Sequence, residues 1–154
     1  MLAELIIAIL VKYLKSWWGN KNPHTKMTPK AKIVVVDDDS DLRFLYQNRL
    51  EKDGFEVFVA RDGVEGLAVT QDCRPDIILL DLLMPVMSGS EMLARLRSTE
   101  WGSEIRVIVL TNISKDEAPP ALRFLHVDRY VVKAHHTPAQ IVSIVYEVLG
   151  TKSP

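Results

Sequence analysis

Three aspartates, a threonine and a lysine stand directly after short apolar runs, and together they are the groups that hold a hard cation and move an anionic group. Ile33–Val36 leads into Asp37 and Asp38, Ile77–Leu80 into Asp81, Val107–Leu110 into Thr111, and Tyr130–Val132 into Lys133. If these runs are parallel strands of one sheet, their polar ends emerge on one edge and share a pocket. Carboxylates crowded in that way repel, so one neutralises or a cation binds. Oxygen ligands with room for water suit Mg2+. A carboxylate oxygen beside a cation, an ammonium and a hydroxyl is also equipped for phosphoryl transfer, with the carboxylate as nucleophile. Taken singly, each residue has an ordinary explanation: Asp39 as a helix cap, Thr111 as a strand end, Tyr130 as a half-buried strand aromatic, Lys133 as a solvated lysine. Their joint placement at four strand ends carries the functional reading.

The elements that must position them alternate strand and helix five times. Strands are expected at Ile33–Val36, Glu56–Ala60, Asp76–Leu80, Arg106–Leu110 and Arg129–Val132. The first helix starts from an Asp39 or Ser40 cap and runs to about Lys52, with Gly54 ending it. The second covers about Val64–Gln71 and the third Ser90–Arg97. A fourth, near Pro120–Leu125, is short because Pro119 and Pro120 suit a helix start but not its interior. The last follows Thr137-Pro138-Ala139-Gln140, a capping box with proline at the first helical position, and runs to Leu149 before Gly150. Short apolar strands alternating with helices imply a doubly wound α/β fold with helices on both faces of a parallel sheet. Such sheets bind ligands beyond the carboxyl ends of their strands. In the order 2-1-3-4-5, the strands ending in Asp37/Asp38, Asp81, Thr111 and Lys133 lie side by side.

The 154 residues suffice for one domain with a real core, and a hydrophobic content of 47% with 25% charged residues is that of an ordinary globular chain. A net charge of −1 gives no sign of a nucleic-acid partner. The charge is unevenly placed: residues 1–30 hold five lysines and one glutamate, leaving 14 basic and 19 acidic residues in 31–154. The single cysteine, Cys73, has no partner for a disulfide or a metal-binding pair, which favours a reducing compartment. His135 and His136 read as a surface loop pair rather than ligands, and Asp116-Glu117 as a solvated loop.

The strand-end motifs resemble the receiver domain of two-component response regulators. The matching pieces are Val34-Val35-Val36-Asp37-Asp38-Asp39, Leu79-Leu80-Asp81-Leu82-Leu83-Met84-Pro85 with Ser88-Gly89, Val109-Leu110-Thr111 and Tyr130-Val131-Val132-Lys133, and the resemblance covers about residues 30–150. It implies a five-stranded flavodoxin-like receiver of order 2-1-3-4-5. It implies Asp81 as the phosphoacceptor, charged from a phosphohistidine on a sensor histidine kinase or a His-phosphotransfer protein. It implies Mg2+ held by Asp38, Asp81 and the Leu83 backbone carbonyl, with Asp37 acting through a metal-bound water. Thr111 and Lys133 would contact the phosphoryl group. Tyr130 would report it on a face made by the fourth helix, the fifth strand and the last helix. Such a domain catalyses only its own phosphorylation and dephosphorylation. The other reading is a receiver-shaped interaction scaffold that no longer uses phosphate. An aspartyl-phosphate hydrolase would want an acid where Leu83 stands.

The chain departs from the family at several points. Ala134 replaces the proline that usually follows the lysine, leaving the loop geometry open. Asn112 replaces a small residue after Thr111, and Leu83 and Ile113 are apolar where polar groups often guide a hydrolytic water. A comparatively long-lived acyl phosphate is expected from these three. Pro119-Pro120 and His126, the latter at a helix end where glycine is usual, point to a remodelled output face whose partner cannot be inherited from the family.

Residues 1–19 form a further unit, with 20–30 a polar linker, 31–150 the receiver and 151–154 a tail. Leu2, Leu5, Ile6, Ile9, Leu10, Tyr13, Leu14 and Trp17 recur at spacings of three and four, and Ile7, Val11 and Trp18 widen that face. The helix is too short and Lys12 too deep for a membrane span; an interfacial anchor with Trp17-Trp18 and the following lysines is one reading. Pairing into a homodimer is a second, and a natural start at Met27 a third. The expectation is a cytoplasmic protein, at the membrane surface if the first reading holds, whose output is an unknown protein contact because no output domain follows Gly150.

Overall fold

The computed structural model describes residues 31–151; the amphipathic segment and linker of 1–30 and the tail beyond 151 lie outside them. Five strands form one parallel sheet in the order β2-β1-β3-β4-β5: β1 Lys32–Val36, β2 Glu56–Ala60, β3 Ile77–Leu80, β4 Arg106–Thr111 and β5 Arg129–Val132. Every β3 residue is buried, as a central parallel strand covered on both faces requires. Alternation along the strands divides the core in two. Ile33, Val35, Ile77, Leu79, Ile108 and Leu110 face one layer. Val34, Val36, Ile78, Leu80, Val107 and Val109 face the other.

The first layer is closed by α1 (Ser40–Lys52) and α4 (Pro138–Leu149). The second is closed by α2 (Gly63–Cys73) and α3 (Gly89–Arg97). Each helix begins on a residue that satisfies its free amides. Asp39 accepts from Asp41 N and Leu42 N, Asp62 from Val64 N and Glu65 N, and Ser88 from Glu91 N. Thr137 and Gln140 complete the expected capping box. Caps of this kind are worth about 1 kcal/mol each. Helix α2 is longer than its apolar pattern suggested, because Asp62 caps it one residue earlier and the chain ends it with Arg74 in the left-handed region at φ 49°.

The expected fourth helix is a five-residue 3₁₀ turn, Pro120–Phe124, with Pro120 at its first position. It stops where Leu125 turns extended at φ −102°. His126 therefore caps nothing: Arg74 and Val86 are the only non-glycine residues with positive φ among the described residues. A second 3₁₀ turn, Lys133–His135, follows β5 directly. No peptide bond among the described residues is cis, so the Lys133–Ala134 bond is trans.

Candidate functional site

Parallel register brings the strand ends together. Val36 pairs with Leu80 and Leu80 with Val109, while Thr111, still within β4, pairs with Val132. One residue on, Asp37 and Asp38, Asp81 and Lys133 emerge beside Thr111 around a cavity of about 210 Å³, with Leu83 and Asn112 at its wall. Carboxylate oxygens of Asp37, Asp38 and Asp81 lie within 4.8 Å of one another. Tyr130, in β5 three residues before Lys133, does not line the cavity. Its hydroxyl donates to the backbone carbonyls of Ile113 at 3.0 Å and Ser114 at 3.2 Å.

Lys133 organises the acids. Its Nζ donates to Asp37 Oδ2 at 2.5 Å and Asp81 Oδ2 at 3.1 Å, and all three side chains are at least nine-tenths buried. Burial alone would push the ammonium down. The hydrogen bond to Asp37 and the charges of both carboxylates overcome it, and Lys133 titrates above its ordinary value. Asp37 is raised by burial, against the opposing pull of Lys133, and the Asp81 charge adds to the rise. The two directions are compatible: one ammonium serves two carboxylates, so the lysine gains more from the pairing than Asp37 does.

The remaining lone pairs separate the three acids. Asp37 Oδ1 accepts from Asp39 N at 3.0 Å, so both of its oxygens are engaged. Asp81 Oδ1 accepts only a long bond, 3.3 Å from Leu83 N. Asp38 is exposed, and its carboxylate makes no hydrogen bond or ion pair among the described residues. The Thr111 hydroxyl is fully buried and has no partner among the described residues. A buried hydroxyl beside crowded carboxylates, with the exposed acid free of partners, fits a site completed by a hard cation and an anionic group.

Two supports were not evident from sequence. Arg43 Nη1 donates to the Asp37 carbonyl at 2.6 Å, pinning the turn that carries Asp37 and Asp38. Arg43 lies one helical turn beyond the Asp39 cap, a spacing that lets it reach back over the cap but does not by itself name the Asp37 carbonyl as its partner. The second is Gly89. A Cβ there would lie 1.9 Å from the Asp81 carbonyl oxygen, so the start of α3 can close over Asp81 only as glycine. Between them, Met87 N donates to Pro85 O across Val86, whose φ of 70° is a strained value for a β-branched residue. His136 Nδ1 bonds Val132 O, and neither His135 nor His136 joins the acidic cluster. Glu117 is not merely solvated: its carboxylate accepts from Ser114 N and Oγ and ties the turn after β4.

A doubly wound sheet with an acidic, cation-ready pocket at its carboxyl edge defines the class. Comparison with known proteins gives the family. The family model "Response regulator receiver domain" matches residues 33–146. Response regulator MprA of Mycobacterium sp. (strain KMS) is 41% identical over 81 residues, which are 53% of this chain and 34% of that protein. The chain thus spans about a third of the length of the curated relatives it resembles at that level. Chemotaxis response regulator CheY4 of Vibrio cholerae superposes with a TM-score of 0.71 at 30% identity, over 77% of this chain and 98% of that one. TrrA of Thermotoga maritima, solved in complex with Mg(2+)-BeF, superposes with 0.66 at 28% identity, over 76% and 97%. The chain belongs to the response regulator receiver domain family, and its fold and sheet order are those expected from sequence. Among the described residues no helix is long and apolar enough to cross a membrane.

Proposed function

We propose that this receiver takes a phosphoryl group from a phosphohistidine, on a sensor histidine kinase or a phosphotransfer protein, onto Asp81. An Asp81 oxygen forms the new P–O bond as the P–N bond breaks, and the leaving imidazole nitrogen keeps the electron pair and takes up a proton from solvent. The observation that carries the reading is the convergence of three carboxylates, the Lys133 ammonium and the partnerless Thr111 hydroxyl on one small cavity. Asp38, Asp81 and the Leu83 carbonyl would hold Mg2+, with Asp37, whose oxygens are already engaged, acting through water. When bound, Mg2+ offsets the negative charge of the transferring group. Lys133 gives up part of its pairing with Asp81 to a phosphoryl oxygen, and Thr111 donates its free hydroxyl to another. Tyr130 carries the change to the face made by Pro120–Phe124, β5 and α4, where a downstream protein reads it. The setting is cytoplasmic, as phosphohistidine donors require.

The wall of the cavity also bears on how long the phosphoryl group stays. Leu83 is apolar and 57% exposed at the mouth, Ile113 packs into the core, and Asn112 narrows the approach. Among the described residues, Asn112 and Thr111 are the uncharged polar side chains that line the cavity, and with Leu83 at its mouth the acyl phosphate is long-lived; a half-life of seconds in the purified protein would overturn this. The phosphoacceptor itself is tested with acetyl phosphate, read by intact mass, and with beryllofluoride, read by amide shifts near Thr111 and Tyr130, each with Mg2+. Wild type should respond and Asp81→Asn should not. If wild type behaves like the variant, the domain works as a phosphate-independent scaffold.

A further inference from the structure

The face of the sheet that α2 and α3 cover is left short of a helix beside β5. Pro120–Phe124 supplies a single 3₁₀ segment about 10 Å long where its neighbours supply nine and eleven α-helical residues. The result is a groove of about 720 Å³ whose apolar wall is Ala118, Pro119, Leu122, Leu125, Val127 and Tyr130, with an equal number of residues, charged ones and His126, making up the rest of its lining. Phe124 stands next to it, 89% exposed. Val107 and Val109 of β4 are already buried on this face, so what stays open is the strip beside β5, where Tyr130 is only half-buried. The same chain carries an apolar helical pattern over residues 2–18, ending in Trp17-Trp18, that is broader than a solvent-facing helix needs.

We propose that residues 2–18 of this chain fill that groove, extending the short cover beside β5. Reach allows it. The described chain starts at Ala31, whose carbonyl accepts from Glu56 N at the amino edge of the sheet. Part of the groove lining lies at the same edge, where Asp128 N bonds Val107 O just before β5. Three strand spacings separate β1 from β5, about 14 Å, and residues 20–30 extend to about 36 Å. Residues 2–18 as a helix are about 25 Å long, enough to run the length of the strands and beyond. Charge agrees as well. The groove lining carries Lys115, Arg123 and Arg129 against Asp116 and Asp128, so only Asp116 and Asp128 offer partners to Lys12 and Lys15 of the segment, and the cations are left for Glu4. Beyond the rim, a segment of net positive charge meets a domain of net negative charge. With Tyr130 in the groove wall, its hydroxyl on the loop that leaves Thr111, the covering segment touches the side chain best placed to sense the cavity.

Amide exchange of the full chain, compared with Leu10→Lys and Phe124→Glu in the same full chain and with the chain from Met27, tests this. The described residues hold the whole sheet and both cores, so the shortened chain keeps its fold. In the full chain, amides of 118–127 should exchange roughly tenfold more slowly than in any of the three variants, at every protein concentration. Emission from Trp17 and Trp18 should be blue-shifted and return to the solvent value in Leu10→Lys. Equal exchange in all four proteins overturns the proposal. So does protection that vanishes on dilution, which assigns the groove to a second copy, or protection that is lost when anionic vesicles are absent, which assigns the segment to lipid.

Discussion

At the carboxyl edge of the sheet a tight frame surrounds two open groups, the Asp38 carboxylate and the Thr111 hydroxyl: Lys133 is tied to two aspartates, Asp37 to Asp39 N, its carbonyl to Arg43, and Gly89 closes over Asp81. The face beside β5 is less closely packed, with a clipped 3₁₀ turn and an exposed Phe124, its loops held by the Tyr130 hydroxyl, the Glu117 carboxylate on Ser114 and Arg97 on the His126 carbonyl. The same strands, β4 and β5, serve both regions. The difference lies in what limits each one. The edge is fixed by strand register, which a surface substitution cannot shift, whereas the face depends on a helix that two adjacent prolines suffice to cut short. Chemistry and readout can therefore diverge separately in a domain of this kind.

The sharpest way to break the tight side is Lys133→Met. It leaves two buried carboxylates facing each other, at a cost of about 3–4 kcal/mol. Urea unfolding without Mg2+ should show that loss, and added Mg2+ should stabilise the variant more than wild type, since a cation then replaces the missing ammonium. The pH dependence has a definite sign. Lys133 is raised above 10.5, so its contribution is complete below that pH and disappears as pH climbs through the higher folded value. Wild type should lose stability there and the variant should not. Asp37, raised above 3.8, adds a smaller acid-side effect, its contribution present below 3.8 and lost as pH rises through its folded value.

Next in size is Gly89→Ala. The added methyl meets the Asp81 backbone, which cannot swing away as a side chain could, so about 2–3 kcal/mol should be lost together with most phosphorylation by acetyl phosphate. Alanine at Gly150, where a Cβ meets nothing within 4 Å, should cost about 1 kcal/mol from its positive φ alone and leave phosphorylation unchanged.

The tight edge was legible in sequence because its information is one-dimensional. A polar residue after an apolar run marks a strand end, and parallel strands place their ends together. Strand bounds agreed to within a residue, the one shift of consequence being Thr111, which lies inside β4 and so is buried with its hydroxyl unpartnered. The capping box at Thr137 was equally local. What could not be read were contacts set by approach in space: Arg43 reaching the Asp37 carbonyl, the closure over Gly89, and the carbonyls that Tyr130 finds. The prolines did announce a short helix. They did not reveal that it would be 3₁₀, nor that ending it at Phe124 would relieve His126 of any capping role.

The smallest effect decides whether the two regions communicate. Tyr130→Phe removes two hydrogen bonds, to Ile113 O and Ser114 O, and keeps the ring in the second core layer. Partly exposed bonds of this kind are worth about 1 kcal/mol together, so thermal stability should fall only slightly. Neither carbonyl belongs to the cavity, so Mg2+ binding and the yield of phosphorylated Asp81 should match wild type. What should change is transmission: with beryllofluoride bound, amide shifts in 113–125 should shrink in the variant while those at Thr111 stay full-sized. If both sets stay full-sized, the loop after Thr111 carries the signal through its backbone and Glu117 alone, and the tyrosine is a staple and not a relay.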